Sequence, residues 1–181
     1  MGHSVQDATP GSNDTRFKTY RSRDAMSLAE SKAMDYDSLS TAMREHLELV
    51  YAAGASEGAK SRLLFKAPGF SLTHVWFKSG FPVTLHSHSM GCLYYITAGS
   101  IRLGGVEYGV GDGFFVSEDV PYAFTAGPNG VEVLEFRNAD KFDLQLHAKG
   151  RAYWEKAASQ IAARRAAWSE EPMPSATEVQ K

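Results

Sequence analysis

The stretch Gly80-Phe81-Pro82-Val83-Thr84-Leu85-His86-Ser87-His88-Ser89-Met90-Gly91-Cys92-Leu93-Tyr94-Tyr95-Ile96-Thr97-Ala98-Gly99 decides the fold. Its two histidines, His86 and His88, stand two residues apart. Side chains alternate between the faces of a strand, so on a strand both imidazoles leave from one face. Two neutral imidazoles placed in this way can converge on one ion, as His-ligated Zn, Fe, Mn, Ni or Cu requires.

Outward from this stretch the texture stays β-like. Short runs rich in β-branched and aromatic residues occur at Arg62–Lys66, Phe70–Lys78, Leu93–Thr97, Ser100–Leu103, Gly113–Val116, Tyr122–Thr125 and Val131–Arg137. Pro68-Gly69, Gly104-Gly105 and Gly127-Pro128-Asn129-Gly130 read as turns between them. The gaps are too short for parallel crossovers, which need a dozen or more residues, so an antiparallel sandwich or barrel is expected.

Helical spacing brackets this β-rich region. Leu39, Met43, Leu47, Val50 and Tyr51 form a stripe, with Ser38 or Ser40 available as a cap and Gly54 as a stop. From Arg151 to Ser169 the chain is alanine-rich, and Trp154, Ala158, Ile161 and Trp168 fall on one face. The expected organisation is a polar tail over residues 1–15 and a helical and extended arm over 16–60. The β domain follows over 61–147, then a helix within 148–170 and a second tail over 171–181.

The motif stretch resembles the first conserved motif of the cupin superfamily, G-x5-H-x-H-x3-E-x6-G. Gly80, His86, His88 and Gly99 match at the correct spacing, and Cys92 stands where the family has glutamate. The second cupin motif, G-x5-P-x-G-x2-H-x3-N, finds its place from Gly111, the one literal match. Ser117, Asp119, Tyr122 and Ala126 occupy its proline, glycine, histidine and asparagine positions. The resemblance spans about Gly69 to Arg137. It implies an all-β cupin barrel (a double-stranded β-helix, or jelly roll) with flanking N- and C-terminal α-helices.

In cupins three histidines and a glutamate hold a metal at the barrel mouth. Carried over by position, this chain supplies His86 and His88, with Cys92 and Tyr122 at the other two places. Three readings follow. A divalent ion, Fe(II) by preference, with Zn, Mn, Ni or Cu as alternatives, is held by the two histidines, with Cys92, Tyr122 or water completing the shell. Alternatively Cys92 joins a tyrosine through a thioether, as in the cysteine dioxygenases. In the third reading the pocket is a metal-free cup. His74 and Glu135 are further candidates whose direction depends on strand register. His46 and His147 look ordinary, and Tyr94, Phe114, Phe124 and Phe136 read as core.

Composition narrows the function classes. Nineteen Lys and Arg against twenty-one Asp and Glu give a net charge of −2, with no basic run, so neither nucleic acid nor an anionic membrane is an expected partner. No apolar stretch approaches the ~18–20 residues of a membrane span. A single cysteine excludes an internal disulfide framework, and a cytoplasmic location is expected. The expected function is a metal-dependent enzyme of dioxygenase type acting on a small aromatic or oxygenated molecule. In that scheme His86 and His88 hold the metal, and Tyr122 and Cys92 take part in catalysis. The alternatives are a metal-free isomerase, cyclase or lyase using Tyr122 with a histidine as acid and base, and a non-catalytic binding module. A homodimer that covers exposed sheet edges is expected as well.

Overall fold

Alternating side chains on two long strands organise the molecule. On β6 (Cys92–Leu103), Cys92, Tyr94, Ile96 and Ala98 are buried, while Leu93 and Tyr95 between them face outward. On β9 (Tyr122–Arg137), Val131, Val133, Glu135 and Arg137 share the buried inner face. This period of two is what a sheet with one face on a core demands. The computed structural model describes residues 17–178. The expected tail over residues 1–15 lies outside the described residues.

The chain enters through a short arm: β1 (Met26–Ser27), α1 (Leu28–Ser31) and β2 (Met34–Asp35). Ser27 and Glu30 cap α1 reciprocally, each side chain bonding the other residue's backbone N–H. Next come α2 (Thr41–Ala52), with the Ser40 hydroxyl accepting from the Met43 N–H, and the single turn α3 (Ala55–Gly58). The barrel strands are β3 (Ala59–Ala67), β4 (Phe70–Phe77), β5 (Pro82–Ser87), β6, β7 (Val106–Tyr108), β8 (Gly113–Val116) and β9. After them run β10 (Phe142–Asp143), β11 (Gln145–Leu146), α4 (Arg151–Trp168) and α5 (Pro174–Glu178).

Apart from β2 and β10, which pair parallel in a separate two-stranded sheet, the strands form one curled antiparallel sheet in which β9 is the hub. Along one edge β9 stays beside β6; along the other it changes partner, from β5 at Tyr122–Thr125 to β4 at Val131–Arg137. The change happens at Gly127–Gly130, which the sequence suggested as a turn between two strands. There the pairing with β6 jumps from Ala126 opposite Ile101 to Val131 opposite Gly99, so the residues loop out as a wide bulge. β6 is likewise one strand where two were expected, because Gly99 continues it through a register shift. Gly99 adopts φ +72°, and a Cβ there would lie 2.2 Å from the Gly130 carbonyl oxygen.

Helix α4 packs on the outside of the barrel and against α2. Its buried stripe is Trp154, Ala157, Ile161 and Trp168, with Ala157 rather than Ala158 as the fully buried alanine. Both indole N–H groups are satisfied, Trp154 by the Ala148 carbonyl and Trp168 by the Ser79 carbonyl. The Lys78 ammonium caps the helix by donating to the Trp168 carbonyl. Beyond it, the segment expected as a tail is docked where it is described. Glu171 accepts from the N–H and hydroxyl of Ser79, and the Ser175 N–H donates to Glu132. Among the described residues, no helix is long and apolar enough to cross a membrane.

Candidate functional site

The inner wall of the barrel is a lattice of cross-strand rows, and residues paired across antiparallel strands share a face. Two apolar rows, Phe77–Val131–Gly99 and Val75–Val133–Ile96, give way to Thr73–Glu135–Tyr94 and then Ser71–Arg137–Cys92. The wall is therefore apolar at one end and polar at the other. On β5, His86 stands opposite Tyr122 of β9, with their rings 4.3 Å apart.

His86 and His88 project from one face, as the strand reading required, with ring centroids 5.1 Å apart. The Nδ1–H of His86 donates to the Thr84 carbonyl, and that of His88 to the Asp143 carbonyl. These bonds fix the tautomers and leave Nε2 of each ring as the free lone pair, the arrangement of metal-ligating imidazoles. Burial, reinforced by the neighbouring His88, pushes the His86 pKa down to about 4. Burial and the Arg137 guanidinium do the same for His88, also to about 4. Both rings are neutral at physiological pH.

Of the carried-over companions, Tyr122 stands beside His86, and Cys92 lies on the inner face opposite Arg137. Cys92 is a free thiol, 1% exposed, and burial pushes its pKa up to about 12. It does not border the cavity, and neither does Tyr122, whose hydroxyl meets that of Tyr94. Tyr94, read from the sequence as core, borders the cavity instead. Burial, with Glu135 nearby, raises both phenols well above their usual range, so they stay protonated.

Of the further candidates, Glu135 points inward and pairs with Arg137 at 2.8 Å. His74 is engaged by Glu132 at 3.0 Å, His147 contacts the Ser87 hydroxyl, and His46 stacks on Trp154. Sequence reasoning did not single out Arg137, although it shares the strand parity of Val131 and Val133. Its guanidinium is fully buried, lies 4.1 Å over the Phe142 ring, and borders the cavity. That cavity measures about 1150 Å³ and reaches from His86, His88 and Tyr94 past Val75, Phe77 and Phe124 to the N-terminal arm.

The residues fit a divalent ion held by two imidazoles. Nitrogen ligands lie ~2.0–2.1 Å from such an ion, which brings two ligating rings to roughly 5 Å between centroids. Among the described residues, no group of three or more His, Cys, Asp or Glu gathers to hold a metal. The remaining coordination positions would therefore fall to water or to a bound substrate.

No protein-family model matches the sequence, and no curated protein matches it either. Solved structures do. The polyketide cyclase RemF from Streptomyces resistomycificus is 19% identical, over 59% of this chain and 82% of that one, with a TM-score of 0.48. An RmlC-like cupin from Shewanella frigidimarina is 24% identical, over 46% of this chain and 78% of that one, at 0.41. Salicylate 1,2-dioxygenase from Pseudoaminobacter salicylatoxidans is 17% identical, over 55% of this chain, which spans only 31% of that enzyme, at 0.43. The curled antiparallel sheet, the motif spacing from Gly80 to Gly99 and the paired imidazoles on β5 establish that the fold of this chain is that of the cupin superfamily.

Proposed function

We propose that the chain is a metal-dependent cupin enzyme, of dioxygenase type, acting on a small organic molecule held in the barrel. The observation that carries this reading is the pair of neutral imidazoles whose Nδ1 atoms are both committed to backbone carbonyls. When bound, the ion supplies Lewis-acid activation and a site where O2 and substrate can meet. The chain's own residues do the rest. His86 and His88 bind through Nε2. Val75, Phe77 and Phe124 give the substrate an apolar bed and exclude water. Tyr94, kept protonated and backed by Tyr122, presents a hydroxyl that can donate to a substrate oxygen.

Elemental analysis of tag-free protein tests the proposal. About one ion per chain is expected after anaerobic reconstitution with Fe(II), and it should be lost in a His86→Ala, His88→Ala double variant. Absence of metal after reconstitution with Fe(II), Zn, Mn, Ni and Cu in turn would overturn it.

A second reading is favoured by the lack of a third ligand group among the described residues. It is a metal-free cyclase or isomerase in which a neutral His86 or His88 takes a proton and Tyr94 gives one. Chelator treatment separates the two: turnover that survives complete metal removal belongs to the second.

A further inference from the structure

Buried polar atoms without partners are rare in folded proteins, and a cluster of them points to something that binds there. Here four fall together. Ser71 Oγ, Thr73 Oγ1, and Nε and Nη1 of Arg137 are all buried without a hydrogen-bond partner. Ser71 stands directly opposite Arg137, and Thr73 directly opposite Glu135, on the inner face of the barrel. Cross-strand pairs of this kind hold their Cβ atoms ~4.5–5.5 Å apart. The two hydroxyls thus stand beside the Glu135–Arg137 pair within the wall, and of these unpartnered groups only the Arg137 guanidinium borders the cavity.

Arg137 is held so that part of its donor capacity stays open. Glu135 takes Nη2 at 2.8 Å, and the Phe142 ring covers one face of the guanidinium plane. Neither contact uses Nε or Nη1, and Arg137 and Glu135 both border the cavity that His86, His88 and Tyr94 also line. Arginine in such a setting is suited to an oxygen anion, because its remaining N–H groups are fixed in direction and cannot be deprotonated.

We propose that Arg137 is a carboxylate subsite of this cavity, and that the substrate is a small apolar or aromatic monocarboxylate. The carboxylate takes the open Arg137 donors, and the apolar body extends along Val75 and Phe124. Glu135 sets the charge selectivity. One carboxylate beside the Glu135–Arg137 pair leaves a single net negative charge, whereas a dianion such as phosphate would add a second in a buried site. This deepens the reading above by naming the substrate class, and it rests on the cup being a substrate site rather than on the metal.

Calorimetric titration with benzoate, against benzamide as the neutral analogue and inorganic phosphate as the dianion-rich control, tests this in chelator-treated and in metal-loaded protein. Benzoate is expected to bind both forms, and benzamide and phosphate at least tenfold more weakly. Arg137→Gln should weaken benzoate about tenfold or more, as loss of a buried charge-assisted hydrogen bond does. Arg137→Gln leaves Glu135 buried without its partner, so the Glu135→Gln, Arg137→Met pair provides a second variant that removes both charges. It should lose benzoate to a similar degree while its unfolding transition stays cooperative.

Benzoate binding as tight in the two Arg137 variants as in the native chain overturns the subsite, as does benzamide binding equally well. So does a native chain that shows no saturable benzoate binding at about 10 mM. Binding that needs the metal and vanishes in His86→Ala, His88→Ala while ignoring Arg137 also overturns it, but leaves the metal-enzyme reading standing. Benzoate binding that depends on Arg137 in a protein that holds no metal supports the subsite and removes the metal reading.

Discussion

His88 donates its Nδ1–H to the backbone carbonyl of Asp143, and this one bond ties the imidazole to the N-terminal arm. Asp143 belongs to β10, whose partner is β2: Phe142 pairs with Met34 and Asp143 with Asp35. Phe142 packs with Leu28, Ala33 and Leu63 beneath the arm, and its ring is edge-on to His88 at 5.8 Å. Ser89 N–H and Gln145 bind the Asp143 carboxylate and fix the strand's position. The aim of one candidate ligand is thus set by a strand outside the motif that contains it.

Stability should fall as metal-free protein is acidified. The pKa values of His86 and His88 drop from 6.5 to about 4 on folding, so between these values the unfolded chain binds more protons. Their contribution is full above about pH 6.5 and is lost as pH falls through 4, at up to roughly 3 kcal/mol for each ring. The total is smaller than twice that, because each ring stands beside the other. Hydrogen bonds hold the Glu132 and Asp143 carboxyls below their usual values, although burial opposes this, so their contribution disappears at lower pH. The difference in Tm between native protein and His86→Ala, His88→Ala, followed from pH 7 to 4, should isolate the histidine part. A parallel pair of curves would rule it out.

The Tyr94–Tyr122 contact should behave as a coupled pair. Either Tyr→Phe change strands a buried hydroxyl and should cost about 1–2 kcal/mol in urea unfolding. The double variant removes both hydroxyls and should cost clearly less than the sum of the singles. Strict additivity would mean that the hydroxyls do not depend on one another.

Two glycines at similar backbone angles separate strain from collision. Gly99 and Gly69 have φ +72° and +74°, but a Cβ at Gly69 meets nothing within 4 Å. Gly69→Ala should cost about 1–2 kcal/mol, the left-handed penalty alone. Gly99→Ala also drives a methyl into the Gly130 carbonyl and should cost at least about 2 kcal/mol more. Equal denaturation midpoints would show that the bulge yields freely.

The C-terminal segment should contribute measurably to stability. Ending the chain after Ser169 removes both Ser79–Glu171 bonds and leaves Glu132 without the Ser175 N–H. A loss of about 2 kcal/mol or more is expected from these charge-assisted bonds. An unchanged urea midpoint would show that the segment merely rests on the barrel.

Much of this was legible in the residues themselves. His86 and His88 share a face because the strand period is two, whereas Gly99, read only as a motif glycine, continues one strand where two were expected. The stripe on α4 was readable because burial on one side imposes helical spacing, and so was that on α2 in part, where Val50 is buried and Leu47 partly so but Tyr51 is exposed. Register was harder to read. Whether Glu135 faced inward depended on pairing between β4 and β9, which are more than fifty residues apart. Arg137 is hard to read because a charge at a strand end usually means solvent, yet Val131 and Val133, three and two positions of the same parity before it, mark its face as internal. Tyr94 and Tyr122 both had the chemistry of an acid; only the packing decided which of them reached the cavity.

The bulge at Gly127–Gly130 has an evolutionary meaning. Tyr122 lies on the β5 side of it and Glu135 and Arg137 on the β4 side, so the bulge sets the spacing between the two halves of the cup. A residue gained or lost there would slide Tyr122 and the imidazole opposite it relative to the carboxylate patch, while every core side chain kept its identity. A lineage could retune the length of molecule the barrel accepts through indels at this one surface loop, without a single substitution inside.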